Sequence, residues 1–408
     1  METMYLVCCG LDVHQASVSA CLRRVADDGA VSTQDREFST TVQGLTEMSQ
    51  WLKEVGCPIA AMESTGVYWK PVFHILSAAV EVWVVNARDV KQRRGKKTDR
   101  ADAKWIAELL AFGLLEPSFI PPPQISAFRD LIRMRTAMVQ TRTQVKNRVL
   151  ATLEDTNVKL ASVVSNVFGV SGRSILDSLV EGKRDPKQLS QMARGLLRKK
   201  IPQLAIALEG TFTDHHALLV RLNLEMIDQI DTQIKQVDER VRVLIGPVEE
   251  ETRRVQTIPG VRDTAAKIII SEIGTDMSRF GSHSRLCSWA GMCPGNNQTA
   301  GKRKSGKTRK GNRYLRRVLA ECAWAAGKTD TFLGHTFRRL QARIGGKKAA
   351  VAVGHKILQI VFHLINEGTE YDDGRYNRLN KRQEARQRER AVAVLKRMGY
   401  EVQLTSVA

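Results

Sequence analysis

Three β-forming runs stand one after another at the start of this chain, before any helical pattern appears. "YLVCCGLDV" is a short apolar run; "ASVSACLRRV" and "AVSTQDREFST" follow at hairpin spacing, the second after an Asp-Asp-Gly turn. The period then changes. "TVQGLTEMSQWLKEVG" has helical spacing and closes on Gly56. It leads into "PIAAMEST" (strand), "GVYWKPVFHILSAA" (helix), "EVWVVNA" (strand) and "KKTDRADAKWIAELL" (helix). Strands in series followed by alternating helix and strand predict a mixed sheet with helices packed on it, over residues 1 to about 115.

"EPSFIPPPQ" ends that region, because successive prolines cannot continue a helix and prefer extended backbone. Beyond it, Ile125 to about Leu160 is predicted as one long polar helix, with Leu131, Met134, Met138, Val145 and Val149 near a heptad seam. "LNLEMIDQIDTQIKQVDERVRVLI" predicts a second long helix over roughly Leu222 to Ile245. The two suggest an antiparallel or intermolecular coiled coil. Residues 160 to 215 read as mostly helical. "TIPGVRDTAAKIIISEIG" then predicts helix, Pro-Gly turn and helix, a hairpin able either to present amides to a phosphate or simply to pack. From Gly301 to Arg317 there is no acid, while Lys302, Arg303, Lys304, Lys307, Arg309, Lys310, Arg313, Arg316 and Arg317 are basic. A run of one sign favours binding over a merely solvated face. A last helical segment and a charged tail complete the chain.

The 408 residues carry 63 Lys and Arg against 43 Asp and Glu, a formal charge of +20. Such an excess points to a polyanionic partner, with nucleic acid ahead of acidic lipid. No membrane span and no signal peptide are expected, since no long uncharged apolar run is seen and "METMYLVCCGLDVH" lacks a basic lead. The seven cysteines are scattered without a CxxC pair, which suits reduced thiols rather than disulfides or a zinc site.

Four acids stand out. Asp12 lies inside or at the end of the first apolar strand and Glu63 ends another; a carboxylate there is costly unless paired, hydrogen-bonded or on a metal. Asp99 and Asp102 share one helical face. Each alone reads as a cap or turn residue. As a set they read differently. A mixed sheet can bring two strand ends together under the first turn of its last helix. Carboxylates meeting there would repel without hard divalent cations, Mg²⁺ or Mn²⁺, roughly 3.5–4 Å apart. Lys96, Lys97 and Arg100 beside them suit an approaching DNA backbone.

"GLDVHQ", "MESTGVYW" and "KTDRADA" resemble the four-acid nuclease motifs of the insertion-sequence one-ten transposase family. "IPGV…EIG…F", "WAGMCPG", "GKRKSGKTRKGNRYLRR" and "CAWAA" resemble that family's C-terminal domain. The similarity runs from near residue 4 to about 365. It implies an α/β RNase H-like (RuvC-like) DEDD nuclease domain (1–118), a helical coiled-coil connection and dimerisation region (119–250), a mainly α transposase domain (251–370) and a charged helical tail (371–408). It implies DNA strand cleavage and rejoining, with Mg²⁺ (or Mn²⁺) on Asp12, Glu63, Asp99 and Asp102. The implied partners are the DNA of element ends and target, and a structured bridge RNA encoded by the element. The family's serine nucleophile falls, by spacing, at Thr299 in "NNQTAGK"; threonine keeps the hydroxyl but stiffens the rotamer, and the nearest serine is Ser305. A metal held by the acids, with Lys302 and Arg303, would help ionise that hydroxyl and stabilise the phosphorane.

The expected assembly is a homodimer pairing into a tetramer on DNA, in the bacterial cytoplasm at the nucleoid. Two other readings are a junction-resolvase-like metal nuclease that forms no covalent link to DNA, and a binding scaffold whose acids are only caps.

Overall fold

The computed structural model describes residues 3–64, 66–86, 99–295, 297–299, 302–308, 310–375, 388–389 and 391–403; the side chains of 99, 297–299 and 302–305 lie outside that description. The chain divides into two compact units, Met1–Ile120 and Pro121–Ala408.

The first unit is built on a five-stranded mixed sheet, ordered β3-β2-β1-β4-β5. Strands β1 (Val7–Val13), β2 (Ser17–Val25) and β3 (Val31–Ser39) form an antiparallel meander. The β2–β3 turn is made by Asp27, Asp28 and Gly29. Gly29 takes φ +82°, Ala26 and Ala30 close the turn by a 2.9 Å backbone hydrogen bond, and the Asp28 carboxylate accepts from the Ala30 amide at 2.8 Å. Strand β3 is exposed and mostly polar apart from Phe38, which packs on Trp51, and this suits an edge. Helix α1 (Val42–Glu54), capped by Thr41, leads to β4 (Ile59–Glu63), which lies parallel to β1. Helix α2 (Trp69–Leu76) leads to β5 (Glu81–Val85), parallel to β4. Helix α3 (Asp99–Ala111) follows.

Strand β1 is central and covered on both faces, which is why it reads as an unbroken apolar run. Its alternate residues separate cleanly. Cys9, Leu11 and Val13 pack with Leu45, Met48, Trp51 and Leu52 of α1. Cys8, with Ile59 and Ala61 of β4, packs with Ile106 and Leu110 of α3 on the opposite face.

In the second unit, α4 (Pro123–Asp155) starts directly at the proline run, with Pro123 at its first position. It is paired with α6 (Asp214–Leu244). Arg135 bonds Asp238 and Arg142 bonds Asp231, a step of seven residues up one helix and down the other, so the pair is antiparallel within one chain. The predicted seam differs in its first half. Leu131 is only partly buried and Met134 is 51% exposed; the buried positions are Phe128, Ile132, Val145, Val149 and Leu153. The reason is a change of neighbour. The last three join α6 in one core, together with α5 (Val170–Val180) and the short helices around it, whereas the start of α4 packs on a different helix described next.

That helix is α8 (Asp263–Ile273), the second arm of a hairpin begun by α7 (Glu249–Gln256). The turn between them contains Gly260 at φ +86°. A Cβ there would lie 2.4 Å from the Cys322 carbonyl oxygen, so this face of the turn is occupied by protein rather than open to a phosphate. Helices α9 (His283–Trp289), α10 (Arg313–Ala326), α11 (Phe332–Ile344) and α12 (Gly346–Glu367) complete the unit. Helix α12, interrupted by Lys356, is long and apolar enough to cross a membrane by length and composition alone. Here it is the central helix of the unit, in contact with α7, α9, α10 and α11, and Val353, Ile357, Leu358, Val361 and Leu364 are buried. The seven cysteines are free thiols, as their spacing suggests.

Candidate active site

The backbone of the first unit explains how two of the four acids meet. Leu11 of β1 is in register with Met62 of β4, so the next pair along these adjacent parallel strands is Asp12 and Glu63. Strands so paired run about 4.8 Å apart. Both acids continue the face that packs on α3, as Cys8, Gly10 and Asp12 alternate on one strand and Ile59, Ala61 and Glu63 on the other.

Helix α3 runs across that face with its start towards the acids. The Cys8 thiol donates to the Ala107 carbonyl at 3.4 Å. Further along β1, a Cβ on Gly10 would lie 2.0 Å from the Ala103 carbonyl oxygen and 2.4 Å from the Ala107 amide. Moving up the strand therefore means moving down the helix, towards Asp102 and Asp99 in its first turn. Glycine is required at position 10 because the helix backbone touches the strand there. The Asp12 carboxylate is 18% exposed and lies 3.2 Å from the half-exposed His14 imidazole. Asp102 is partly buried. Among the described residues no three His, Cys, Asp or Glu side chains form a group able to hold a metal ion, and the Asp99 side chain is not among them. The donor set itself is all carboxylate, which is the chemistry hard divalent cations take. Of the basic neighbours, Arg100 is exposed on α3; Lys96 and Lys97 lie outside the described residues.

The second candidate centre is a two-stranded antiparallel hairpin, β6 (Asn297–Thr299) and β7 (Lys302–Ser305). Thr299 pairs with Lys302, Gln298 with Arg303 and Asn297 with Ser305, with an irregularity between Asn297 and Gln298. Both hydroxyl-bearing residues thus belong to one hairpin, one near its tip and one near its base. The base is closed by a 3.1 Å hydrogen bond from the Gly295 amide to the Lys307 carbonyl and by a bridge between Pro294 and Thr308. Beyond it, Gly311 approaches so near that a Cβ would lie 2.4 Å from the Ala290 carbonyl. Lys307, Lys310 and Arg313 are exposed, and Arg309 lies outside the described residues.

The sequence reading missed one group. Glu272 of α8 is completely buried, and its carboxylate is held by Arg133 of α4 and by Asn312, which caps α10. The one signal for it was an acid inside the apolar stretch "IIISEIG".

Comparison with known proteins gives two matched regions, the first of which runs past Ile120 into α4. Residues 9–158 match the DEDD transposase model of IS110, described as "Transposase", and residues 252–334 match "Transposase IS116/IS110/IS902 family". Putative transposase y4pF/y4sB of Sinorhizobium fredii is 24% identical, over 80% of this chain and 77% of its own length. The transposase for insertion sequence element IS1111A of Coxiella burnetii is 23% identical over 79% and 80%, and that for IS1328 of Yersinia enterocolitica 23% over 80% and 89%. Among solved structures, Thermus thermophilus RuvC aligns with 28% of this chain and 99% of its own, at 14% identity and a TM-score of 0.22. Two family models in the expected order, and relatives matched over most of their length, fix the family: this chain belongs to the IS110 (insertion-sequence one-ten) transposases.

Proposed function

We propose that the protein is the DNA transposase, or site-specific recombinase, of a bacterial insertion sequence. In this reading the first unit is an RNase H-like (RuvC-like) nuclease domain whose Asp12, Glu63, Asp99 and Asp102 hold Mg²⁺ or Mn²⁺. The observation that carries it is the register of β1 and β4, which sets Asp12 beside Glu63 on the face crossed by the start of α3. Two carboxylates side by side at the edge of a core repel each other, and a divalent cation relieves that repulsion. When bound, the metal supplies Lewis-acid stabilisation of the phosphodiester oxygens. The acids themselves fix the coordination geometry, and Arg100 with Lys96 and Lys97 attracts the DNA backbone.

In the second unit the hydroxyl of Thr299, or of Ser305, is the nucleophile. Its oxygen gives up its proton and bonds to phosphorus, the bond from phosphorus to a sugar oxygen breaks, and the departing oxygen takes up a proton, so that none is gained or lost overall. Lys302, Arg303, Lys304, Lys307, Arg309, Lys310 and Arg313 neutralise phosphate charge around that hairpin. A bridge RNA from the element guides the choice of DNA, and a homodimer assembles to a tetramer on it.

The test uses the full chain. Wild-type protein is expected to melt higher with Mg²⁺ than with EDTA. Asp12→Asn and Glu63→Gln should lose that difference and all strand cleavage while keeping the far-UV spectrum. Thr299→Ala and Ser305→Ala distinguish the nucleophile by loss of a covalent protein–DNA adduct. An active enzyme that forms no adduct in any background would be a resolvase-like nuclease instead. Unchanged cleavage in both acid variants would refute the site. Sequencing RNA co-purified from cells carrying the whole element tests the guide.

A further inference from the structure

Glu272 is a carboxylate with no exposed side-chain surface, 33 residues before the serine of the basic hairpin and on a different element. Three donors converge on it. Arg133 of α4 binds it in a fork, Nε to Oε1 and Nη2 to Oε2, both at 2.7 Å. Asn312 donates from Nδ2 to Oε2 at 2.5 Å. Arg129, one turn earlier on α4, donates to the backbone carbonyls of Ser271 and Glu272 at 2.8 Å each. Tyr314 is flanked by guanidinium groups of Arg133 and Arg313, 4.7 and 4.8 Å from its ring centre.

A buried ion pair is a poor source of stability, because desolvating both charges offsets most of their attraction. It is a good way to fix one geometry. The choice of residue at 312 points to the same use. Asn312 accepts from the amides of Tyr314 and Leu315 at 3.0 and 3.1 Å, and so caps α10. Asn, Asp and Ser cap about equally well. Of these three, asparagine alone offers an amide N–H₂ to a carboxylate while its oxygen caps the helix. Position 312 lies four residues beyond Thr308, which bridges Pro294 at the base of the hairpin, and its neighbour Gly311 is pressed on Ala290. On the α10 side, Arg316 donates to the Thr308 hydroxyl at 2.9 Å.

We propose that Glu272 is a positioning residue for the transposase reaction. Through Asn312 it ties the exit of the β6–β7 hairpin to α4 and α8, and so holds the hydroxyl-bearing hairpin in place for strand joining. The reactive role of that hairpin rests on the function proposed above; the anchoring does not.

The decisive variant is Asn312→Asp. It keeps a good cap, removes the donor and sets a second carboxylate against Glu272. The pair Glu272→Gln with Asn312→Asp restores a donor facing an acceptor, with their order exchanged. In Asn312→Asp, amide exchange over residues 293–308 should speed at least ~10-fold while the rest of the second unit keeps its rates. Joining at saturating DNA should fall about 10- to 100-fold, the size of effect expected of a misplaced reacting group, with DNA affinity within about 2-fold. The exchanged pair should recover both.

Wild-type exchange and joining in Asn312→Asp would overturn the proposal. So would an exchanged pair no better than the single variant, or acceleration spread evenly over the whole second unit, which would mark a merely structural contact. If Asn312→Asp does not fold, Glu272→Gln alone against the exchanged pair gives the same comparison. If wild-type protein joins no DNA, the functional reading fails and the exchange measurements decide the anchoring by the same outcomes.

Discussion

Replacing Gly10 by alanine tests the geometry on which the acid site depends. The added Cβ would meet the Ala103 carbonyl oxygen at 2.0 Å and the Ala107 amide at 2.4 Å. Ordinary contact needs roughly 3.5 Å, so the first two turns of α3 must lift from β1 by well over 1 Å. The obstacle is helix backbone, not a side chain that can rotate away. The cost should therefore reach about 3 kcal/mol, at the upper end for overpacked cores. The lift also carries Asp102 away from Asp12 and Glu63, and a shift near 1 Å can lower a rate by about 100-fold. Urea unfolding, followed by the fluorescence of Trp51, Trp69, Trp83 and Trp105 against the whole, reads the first effect; Mg²⁺-dependent cleavage reads the second. Gly246→Ala is the control, since nothing lies within 4 Å of its added carbon. A Gly10→Ala protein within about 1 kcal/mol of wild type and fully active would show that α3 does not bear on the strand as described, and the convergence of the acids would lose its basis.

Gly260→Ala should also destabilise, by more than about 1 kcal/mol, because its φ of +86° and the Cys322 carbonyl at 2.4 Å both exclude a side chain; an unchanged urea midpoint would refute this. Burial pushes the thiols of Cys8, Cys21, Cys287 and Cys322 up to about 12 and that of Cys57 up to about 11. Above pH 9 the unfolded chain then releases thiol protons that the folded chain keeps, so stability should fall as pH rises from about 9, by up to about 1.4 kcal/mol per pH unit for each thiol. Denaturation between pH 7.5 and 10.5 checks the sign. Ellman's reagent should reach the partly exposed Cys293 before the other six. Replacing Lys302, Arg303 and Arg309 by alanine should weaken DNA binding and reduce its logarithmic salt slope by up to about 2.7, about 0.9 for each phosphate contact. An unaltered slope would remove these residues from the interface.

The first unit was legible because burial there has a simple period. Strand β1 is covered on both faces and reads as one apolar run, while β3 is a polar edge announced by its Asp-Asp-Gly turn. The long helices were legible as helices, but the seam on α4 was not. A heptad drawn from Leu131 assumes one partner along the whole helix, whereas α4 changes partner from α8 to α6 between Ile132 and Val145. The apolar length of α12 was broken in the sequence by Lys356. That lysine extends its ammonium over the Phe332 ring at 5.2 Å, which lets a charge stand in a core helix.

The same contrast separates the two groups proposed to act in function. An acid that ends an apolar strand is conspicuous, because local burial pattern and residue type disagree at that one position; Asp12 and Glu63 each carry that mark, and parallel pairing of their strands does the rest. Glu272 carries the mark too, inside "IIISEIG", yet nothing local says what satisfies it. Its partners are 139 residues upstream and 40 residues downstream, on elements whose contact is set by the packing of whole helices. Arg133 is one arginine among several on a polar helix, and Asn312 looks like an ordinary cap. Only their joint occupation of one buried carboxylate distinguishes them, and that is a property of the tertiary fold. A residue that binds a ligand can announce itself by breaking a local rule, whereas one that positions another side chain conforms to every local rule at its own position and becomes visible only with its partners.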